Sequence, residues 1–406
     1  MVWAQSLSDE QIAQVTDRLA VGAQQSWELG TRCEALTELN TPSFSVFYDA
    51  DLPPSKNAPS SLDTVLEVAE NVTSNRNSSL SIQPLFDDGS AGDPASMGVS
   101  VMLANWTNYG DGQLDYASAA TQQLIYLLDY VPRTPDGAIS HRNGYVQLWS
   151  DFIYMAPPFI AYYGALTDNK TLVEEAYTQV ALYRNYLRVT SGEYENLWMH
   201  ILLGPWNDTG LWATGNAWAA AGMLRVLATI KHSSFADEML AEQTNLTEWV
   251  SEIHDAIYPT LGDNNLLLNY ISNDTEGNFY DASSTTLMAS TVYRLSVLAG
   301  VHTHIPAAEK CRKTLSSTNS TGGMAHFTSD YWLTPVVNPE SFSEEGSQSP
   351  ESEAFVLLMQ ATWEDWKSAG STGANTAIHS MHLGTTSWSV VVSAVVSAVL
   401  AMLTLF

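Results

Sequence analysis

Apolar residues in this chain recur mainly at helical spacing, in blocks separated by polar loops. Ile12, Val15, Leu19 and Trp27 share one face of a predicted helix from Ser8 to Gly30, capped by Ser8 or Asp9. Leu36 to Pro59 is a Pro- and Ser-rich loop, and Ser61 or Asp63 opens a second helix through Val65, Leu66 and Ala69. A polar stretch runs to about Pro94, followed by an apolar helix from Ala95 to Trp106. Asp115 to Tyr130 turns Ala117, Ala120, Leu124, Leu127 and Leu128 inward, and Pro132 to Asn143 is a loop. Helices are expected at Trp149–Gly164, Thr171–Val189, Asn216–Ile230, Phe235–Leu240, Leu246–Tyr258, Ser283–Leu298, Ile305–Leu315 and Glu351–Trp366. Ser341 to Pro350 reads as an acidic, Ser-rich loop. Period-two alternation is nearly absent, so the pattern predicts an all-α toroid of helical hairpins in one domain over residues 5–367.

The chain has 406 residues, 45% of them hydrophobic, enough for a large core and too apolar for disorder. Its formal charge of −28 excludes a general affinity for nucleic acid, which needs clustered Lys and Arg. It suits a soluble surface in a mildly acidic medium, where part of the charge is neutralised. No metal-ligand spacing is visible and no cofactor is expected. Cys33 and Cys311 are either one long-range disulfide or two unrelated buried thiols.

Both ends bear on location. N-glycosylation sequons at Asn71, Asn77, Asn105, Asn169, Asn207, Asn245, Asn273 and Asn319 favour the secretory route. Residues 368–387 form a Ser/Thr/Gly spacer, and 388–406 an apolar tail with no basic residue after it. That arrangement reads as a GPI-anchor signal, with Asn375-Thr376-Ala377 the preferred attachment site. The expected location is extracellular, on the plasma membrane or cell wall. Met1 to Gln5 has neither a basic nor an apolar leader region, so an entry signal is expected upstream of it.

The candidate chemistry gathers around Trp206 to Leu224. Its first half is turn chemistry, with Asn207, Asp208 and Gly210; its second is a helix of very small residues that Thr214 or Asn216 can cap. Trp206, Trp212 and Trp218 crowd that helix start. Indole faces stack on sugar C–H surfaces and the polar groups bond hydroxyls, so an oligosaccharide is the expected partner; the same indoles read equally as core.

Three segments resemble glycoside hydrolase family 105, the unsaturated rhamnogalacturonyl hydrolases, including its fungal cell-wall members. They are Asp136-Gly137-Ala138-Ile139-Ser140-His141-Arg142, the run Trp149-Ser150-Asp151-Phe152-Ile153-Tyr154-Met155-Ala156-Pro157-Pro158-Phe159, and Trp212-Ala213-Thr214-Gly215-Asn216-Ala217-Trp218. The resemblance covers about residues 110–365, with weaker echoes at Asp281-Ala282-Ser283-Ser284 and Glu351-Ser352-Glu353-Ala354. It implies an (α/α)6 barrel of the six-hairpin glycosidase kind, and an enzyme that hydrates the C4=C5 bond of a 4,5-unsaturated uronic acid. In that chemistry a carboxylic acid protonates the enol ether, water adds at C5, and the product collapses to release the neighbouring sugar. Asp151 matches the family's first site aspartate. The resemblance implies a general acid in an aromatic-H-x-x-D pattern, but here Trp198-Met199-His200 is followed by Leu203 at that position. The Arg of the family's W-x-R-G-N-G-W is replaced by Thr214.

These residues make Asp151 and Asp208 the candidate acid/base pair. His141, Arg142 and His200 are the candidates for meeting a uronate carboxylate. Tyr154, Met155, Trp206, Trp212, Asn216 and Trp218 complete the expected sugar site. Two rival readings stand beside this one. One is an α-mannan-directed six-hairpin enzyme using Asp87-Asp88, which otherwise reads as a turn. The other is a non-catalytic glycan-binding surface protein that lost its acid at Leu203.

Overall fold

The computed structural model describes residues 6–272 and 277–374. One compact unit extends to Asn375; the segment from Thr376 to Phe406, which carries the expected anchor signal, lies outside the described residues, as does the sequon at Asn273.

The helices alternate between two rings. In chain order they are α1 (Asp9–Gly22), α2 (Ser26–Asn40), α3 (Asp63–Ser74), α4 (Gly98–Trp106) and α5 (Tyr116–Ile125). Next come α6 (Phe152–Met155), α7 (Pro157–Leu166), α8 (Lys170–Leu187), α9 (Ala213–His232) and α10 (Leu240–Ile257). The last are α11 (Ala282–Ala299), α12 (Ile305–Leu315) and α13 (Pro350–Ser368). Among the inner helices α2 meets the 3-10 turn Asp93–Met97 that leads into α4, α4 packs on α7, and α6 and α7 pack on α9. The ring continues from α9 to α11 to α13 and closes from α13 onto α2. Outside it α1 lies on α13, α3 and α5 on α4, α8 on α7, α10 on α9, and α12 on α11. This is an (α/α)6 toroid, with α6 and α7 together forming one inner element.

Sequence explains the sorting. An outer helix buries one stripe: α3 buries only Val65, Leu66, Ala69 and Val72. An inner helix is covered all round, and every residue of α9 except Lys231 is buried. Small residues permit the close crossings; a Cβ at Gly222 would collide with the Ile153 backbone of α6. Apolar positions all round a helix have no single face, which is why the amphipathic pattern was weakest where the core is densest.

The structure corrects several expectations. The helix read from Ser8 to Gly30 is two helices, because Glu28 accepts from the Gln24 and Gln25 amides at 2.8 and 3.0 Å and starts α2 afresh. Ser8 does cap α1. The first part of the stretch read as loop, up to Asn40, is the end of α2, and Leu36 is core. Three short antiparallel pairs join helix ends: β1 (Leu148–Trp149) with β2 (Ile201–Leu202), β3 (Leu267–Leu268) with β4 (Tyr280–Asp281), and β5 (Val336–Asn338) with β6 (Ser341–Gly346). The last replaces most of the expected acidic loop. Neither Thr214 nor Asn216 caps α9, since the helix begins earlier, at Ala213.

Of the two readings of Cys33 and Cys311 the structure shows the second and not the disulfide: both thiols are free and buried. Cys33 on α2 lies among Thr37, Phe44, Val65 and Ser100, whereas Cys311 on α12 lies near Tyr258. Burial pushes each thiol up to about 12, so neither is reactive.

Candidate active site

Inner helices begin at one mouth of the toroid, and the side chains at their first turns converge there on a cavity of about 530 Å³. Trp27 of α2, Asp93 ahead of α4, Asp151 ahead of α6, Trp212 ahead of α9 and Glu351 of α13 all line it. The β5–β6 hairpin contributes Pro339, Glu340 and Phe342 from the side. Helix N-termini present unpaired amides and a positive field, a setting that favours carboxylates and anionic groups.

One wall is a chain of charged contacts. The β1–β2 pair sets Asp151 beside His200, with Asp151 Oδ2 3.5 Å from Nε2. On its other side His200 Nδ1 meets Asp208 Oδ2 at 2.9 Å. Tyr270 donates its hydroxyl to the same Asp208 oxygen, while Oδ1 accepts from the Gly210 amide at 2.9 Å. Burial works against charge at all three of these groups, yet their mutual pairing wins. It holds Asp151 and Asp208 below the usual carboxylate range and raises His200 above an ordinary histidine. Each of the three groups thus favours the charged form of its neighbour.

The facing wall holds the opposite protonation state. Asp93 is pushed up to about 8 by burial first, and then by repulsion from Asp88 and Asp151. Its Oδ1 lies 3.6 Å from His141 Nε2. His141 gives it no cation, because burial, reinforced by Arg142, drives that imidazole down to about 3. Glu351 is raised well above the ordinary glutamate, again by burial first and then by Glu28, Asp151 and Asp281. It accepts from Trp27 Nε1 at 3.1 Å.

Aromatic rings close the sides. Trp149 lies edge-on to His200 at 5.4 Å and to Trp206 at 5.6 Å, and Phe342 stacks near-parallel to Trp206 at 6.3 Å. Trp218 forms buried floor, and Trp212 is anchored by its Nε1 donating to Asn269 at 2.8 Å. Trp206 is the exposed member at the rim.

The structure therefore brings together Asp151, His141, Arg142, Met155, His200, Trp206, Trp212 and Trp218. It places three expected site residues elsewhere. Asp208 stands behind His200 with both oxygens engaged, so it positions the imidazole rather than facing the cavity. Tyr154 is core, packed on Trp218 at 4.4 Å, with its phenol turned toward the Arg225 side of the barrel. Asn216 is fully buried, accepting from the Trp198 amide and donating to the Trp198 and Trp212 carbonyls, so it ties α9 to the preceding loop.

Sequence reading missed Asp93 and Glu351, and gave Trp27, Trp149 and Phe342 no role. The available signal was positional: Asp93 and Glu351 each adjoin a proline at the start of a helix that closes the inner ring. The acid expected at Leu203 belongs to no wall of this cavity. Leu203 is an exposed turn residue at φ 68°, outside the lining. Asp88 lines the cavity while Asp87 faces solvent, so the Asp87-Asp88 pair is a turn and not a paired acid site. Among the described residues no group of His, Cys, Asp or Glu is arranged to hold a metal ion.

An aromatic cavity with one carboxyl raised and another lowered in pKa, at the mouth of an (α/α)6 toroid, suits acid/base chemistry on a sugar. The sequence profile of Glycosyl Hydrolase Family 88 matches residues 68–325, and the chain belongs to that family. Its fold is shared by a possible family 105 member from Klebsiella pneumoniae, at TM-score 0.69 and 14% identity over 90% of this chain and 95% of that one. A possible family 105 member from Salmonella enterica aligns at TM-score 0.65 and 15% identity, covering 89% and 99%. The unsaturated glucuronyl hydrolase of Bacillus sp. GL1 aligns at TM-score 0.56 and 12% identity, covering 89% and 96%.

Proposed function

We propose that this enzyme releases a 4,5-unsaturated uronic acid from the non-reducing end of an oligosaccharide by hydrating its double bond. One observation carries the reading: a single cavity holds one carboxyl kept protonated, Asp93, and another kept ionised, Asp151. Vinyl-ether hydration needs that pair. The protonated Asp93 donates to C4, leaving positive charge shared between C5 and the ring oxygen. Asp151, held by His200, orients a water and takes its proton as the water's oxygen bonds to C5. The resulting hemiketal opens, and the C1 that held the neighbouring sugar is freed as an aldehyde while that sugar leaves as an alcohol. Asp208 and Tyr270 keep His200 turned toward Asp151. Leu203 does not remove the acid from this scheme, because the proton comes from the α4 side of the ring.

Membership of a glycosyl hydrolase family supports glycoside cleavage, and the unsaturated glucuronyl hydrolase of similar fold supports the substrate class. Surface location is part of the proposal: six sequon asparagines, Asn71, Asn77, Asn105, Asn169, Asn207 and Asn319, are exposed, while Asn245 is half-buried and donates to Tyr177. Among the described residues no helix is long and apolar enough to cross a membrane; attachment through the GPI signal is part of the proposal.

The test is incubation of the purified protein with unsaturated glucuronyl and rhamnogalacturonyl disaccharides. Ultraviolet absorbance of the conjugated double bond should fall, and mass spectrometry should find one water added per molecule cleaved. Binding with no loss of the double bond would move the protein to the glycan-binding reading.

A further inference from the structure

An acidic protein that accepts a uronate needs a cation at the right place, and the cavity has few. His200 is engaged on both ring nitrogens by Asp151 and Asp208. His141 is buried, stacked on Trp149 at 4.9 Å, and turns Nε2 toward Asp93. Thr214, standing where the resembling family has arginine, is buried and donates its hydroxyl to Asp281 at 3.1 Å. Arg225 and Arg294 lie inside the barrel, bound to Glu34, Glu38 and Asp365.

Arg142 remains. Among the described residues it is the only lysine or arginine lining this cavity, and its guanidinium makes no ion pair with a carboxylate. It lies over Trp149, with its centre 4.4 Å from the ring centroid. The indole holds the guanidinium at the cavity wall, and a guanidinium can grasp a carboxylate with two hydrogen bonds. The loop that carries it is fixed: the Arg142 amide donates to Ser140 Oγ, and Arg142 bridges to Ser90.

We propose that Arg142 is the specificity-determining residue of this site, binding the carboxylate of the terminal sugar and admitting uronides over neutral hexosides. The inference rests on the uronide reading above and sharpens it. The surrounding acids make its role decisive. Asp88, Asp93, Asp151, Glu340 and Glu351 share the lining, so Arg142 is the one formal cation there besides the already paired His200, and it adds to the weaker pull of the helix N-termini. The substrate carboxylate is thereby directed to the Trp149 side of the cavity.

The test compares an unsaturated uronyl disaccharide with its carboxamide, a neutral molecule of nearly the same shape. Wild type should prefer the acid by about 10- to 100-fold in kcat/KM, the size of a charge-assisted bidentate contact. In Arg142→Gln that ratio should collapse toward unity, and Arg142→Lys should restore part of it. Binding gives a readout independent of turnover: calorimetry on Asp151→Asn with a saturated glucuronyl disaccharide and its amide, with and without Arg142→Gln. An equal loss on acid and amide, or a wild type indifferent to the charge, overturns the proposal. Charge-selective binding that depends on Arg142 in a protein that never hydrates the double bond would uphold Arg142 and remove the hydration reading instead.

Discussion

Two clusters of buried charge sit in this barrel, and they are built on opposite rules. Within the ring, Arg225 meets Glu34 and, at 2.5 Å, Glu38; Arg294 meets Glu38 at 2.6 Å and also Asp365. These links join α9 and α11 to α2 and α13, and the guanidiniums also lie over Phe47. Every charge there has a partner of opposite sign. At the mouth, Asp93 and Glu351 share a cavity with Asp88 and Asp151 and have no guanidinium bound to them. The first cluster fastens helices together. The second buries carboxyls with no bound cation and leaves like charges close to one another, which is unfavourable for folding; burial first, and that repulsion second, keep a proton on Asp93 at neutral pH. In these two clusters the compensated charges are structural, whereas the uncompensated Asp93 and Glu351 line the candidate site.

Breaking the compensated cluster should have the largest effect. Arg294→Met leaves Asp365 and one side of Glu38 unpaired, and should lower stability by about 3–5 kcal/mol in denaturant unfolding. Adding Glu38→Gln should recover part of that loss, because a buried charge without a partner is worse than a missing pair. A loss that stays the same in the double variant would mean the pair is not coupled.

The uncompensated cluster should respond in the other direction. Asp93 has its folded pKa raised to about 8, so its proton is bound more tightly in the folded state. Its contribution to stability is complete below the unfolded aspartate value and is lost as pH rises toward and through 8. Asp93→Asn should therefore melt above wild type at pH 8, by on the order of 2 °C for each kcal/mol recovered, with the gap closing toward pH 4. The same substitution should abolish turnover. A variant that melts lower at every pH would make Asp93 a structural residue.

These contrasts also explain what could be read without the structure. The helical period, the missing alternation and the Trp149–Gly164 run were enough for the toroid, because each outer helix has its own apolar stripe and loops end each one. Caps were harder: Glu28 reaching back to Gln24 and Gln25 divides a helix whose apolar spacing continues across the break. Asp151, His200 and the indoles were legible because they sit close in sequence to one another or to a recognisable run. Asp93 and Glu351 were not, because they come from distant inner helices and meet only when α13 closes onto α2. Asp208 was read as an acid by nearness along the chain, yet its side chain points at His200 from behind. Tyr154 was read as platform, but the turn of α6 that sends Met155 to the cavity sends Tyr154 into the core.

The central claim is that Asp151 and Asp93 divide the work of hydration, and the pH dependence of turnover by wild type and Asp151→Asn tests it most directly. Wild type should consume the double bond through the mildly acidic and neutral range. Its rate should fall as pH rises through about 8, where Asp93 gives up its proton. Deprotonation of His200, whose pKa is raised by its carboxylate partners, removes the partner of Asp151 and lowers the rate in the same direction. Asp151→Asn should keep its fold and lose about 10²- to 10⁴-fold in kcat. Undiminished turnover by Asp151→Asn, or a wild-type rate that climbs steadily above pH 8, would contradict the account.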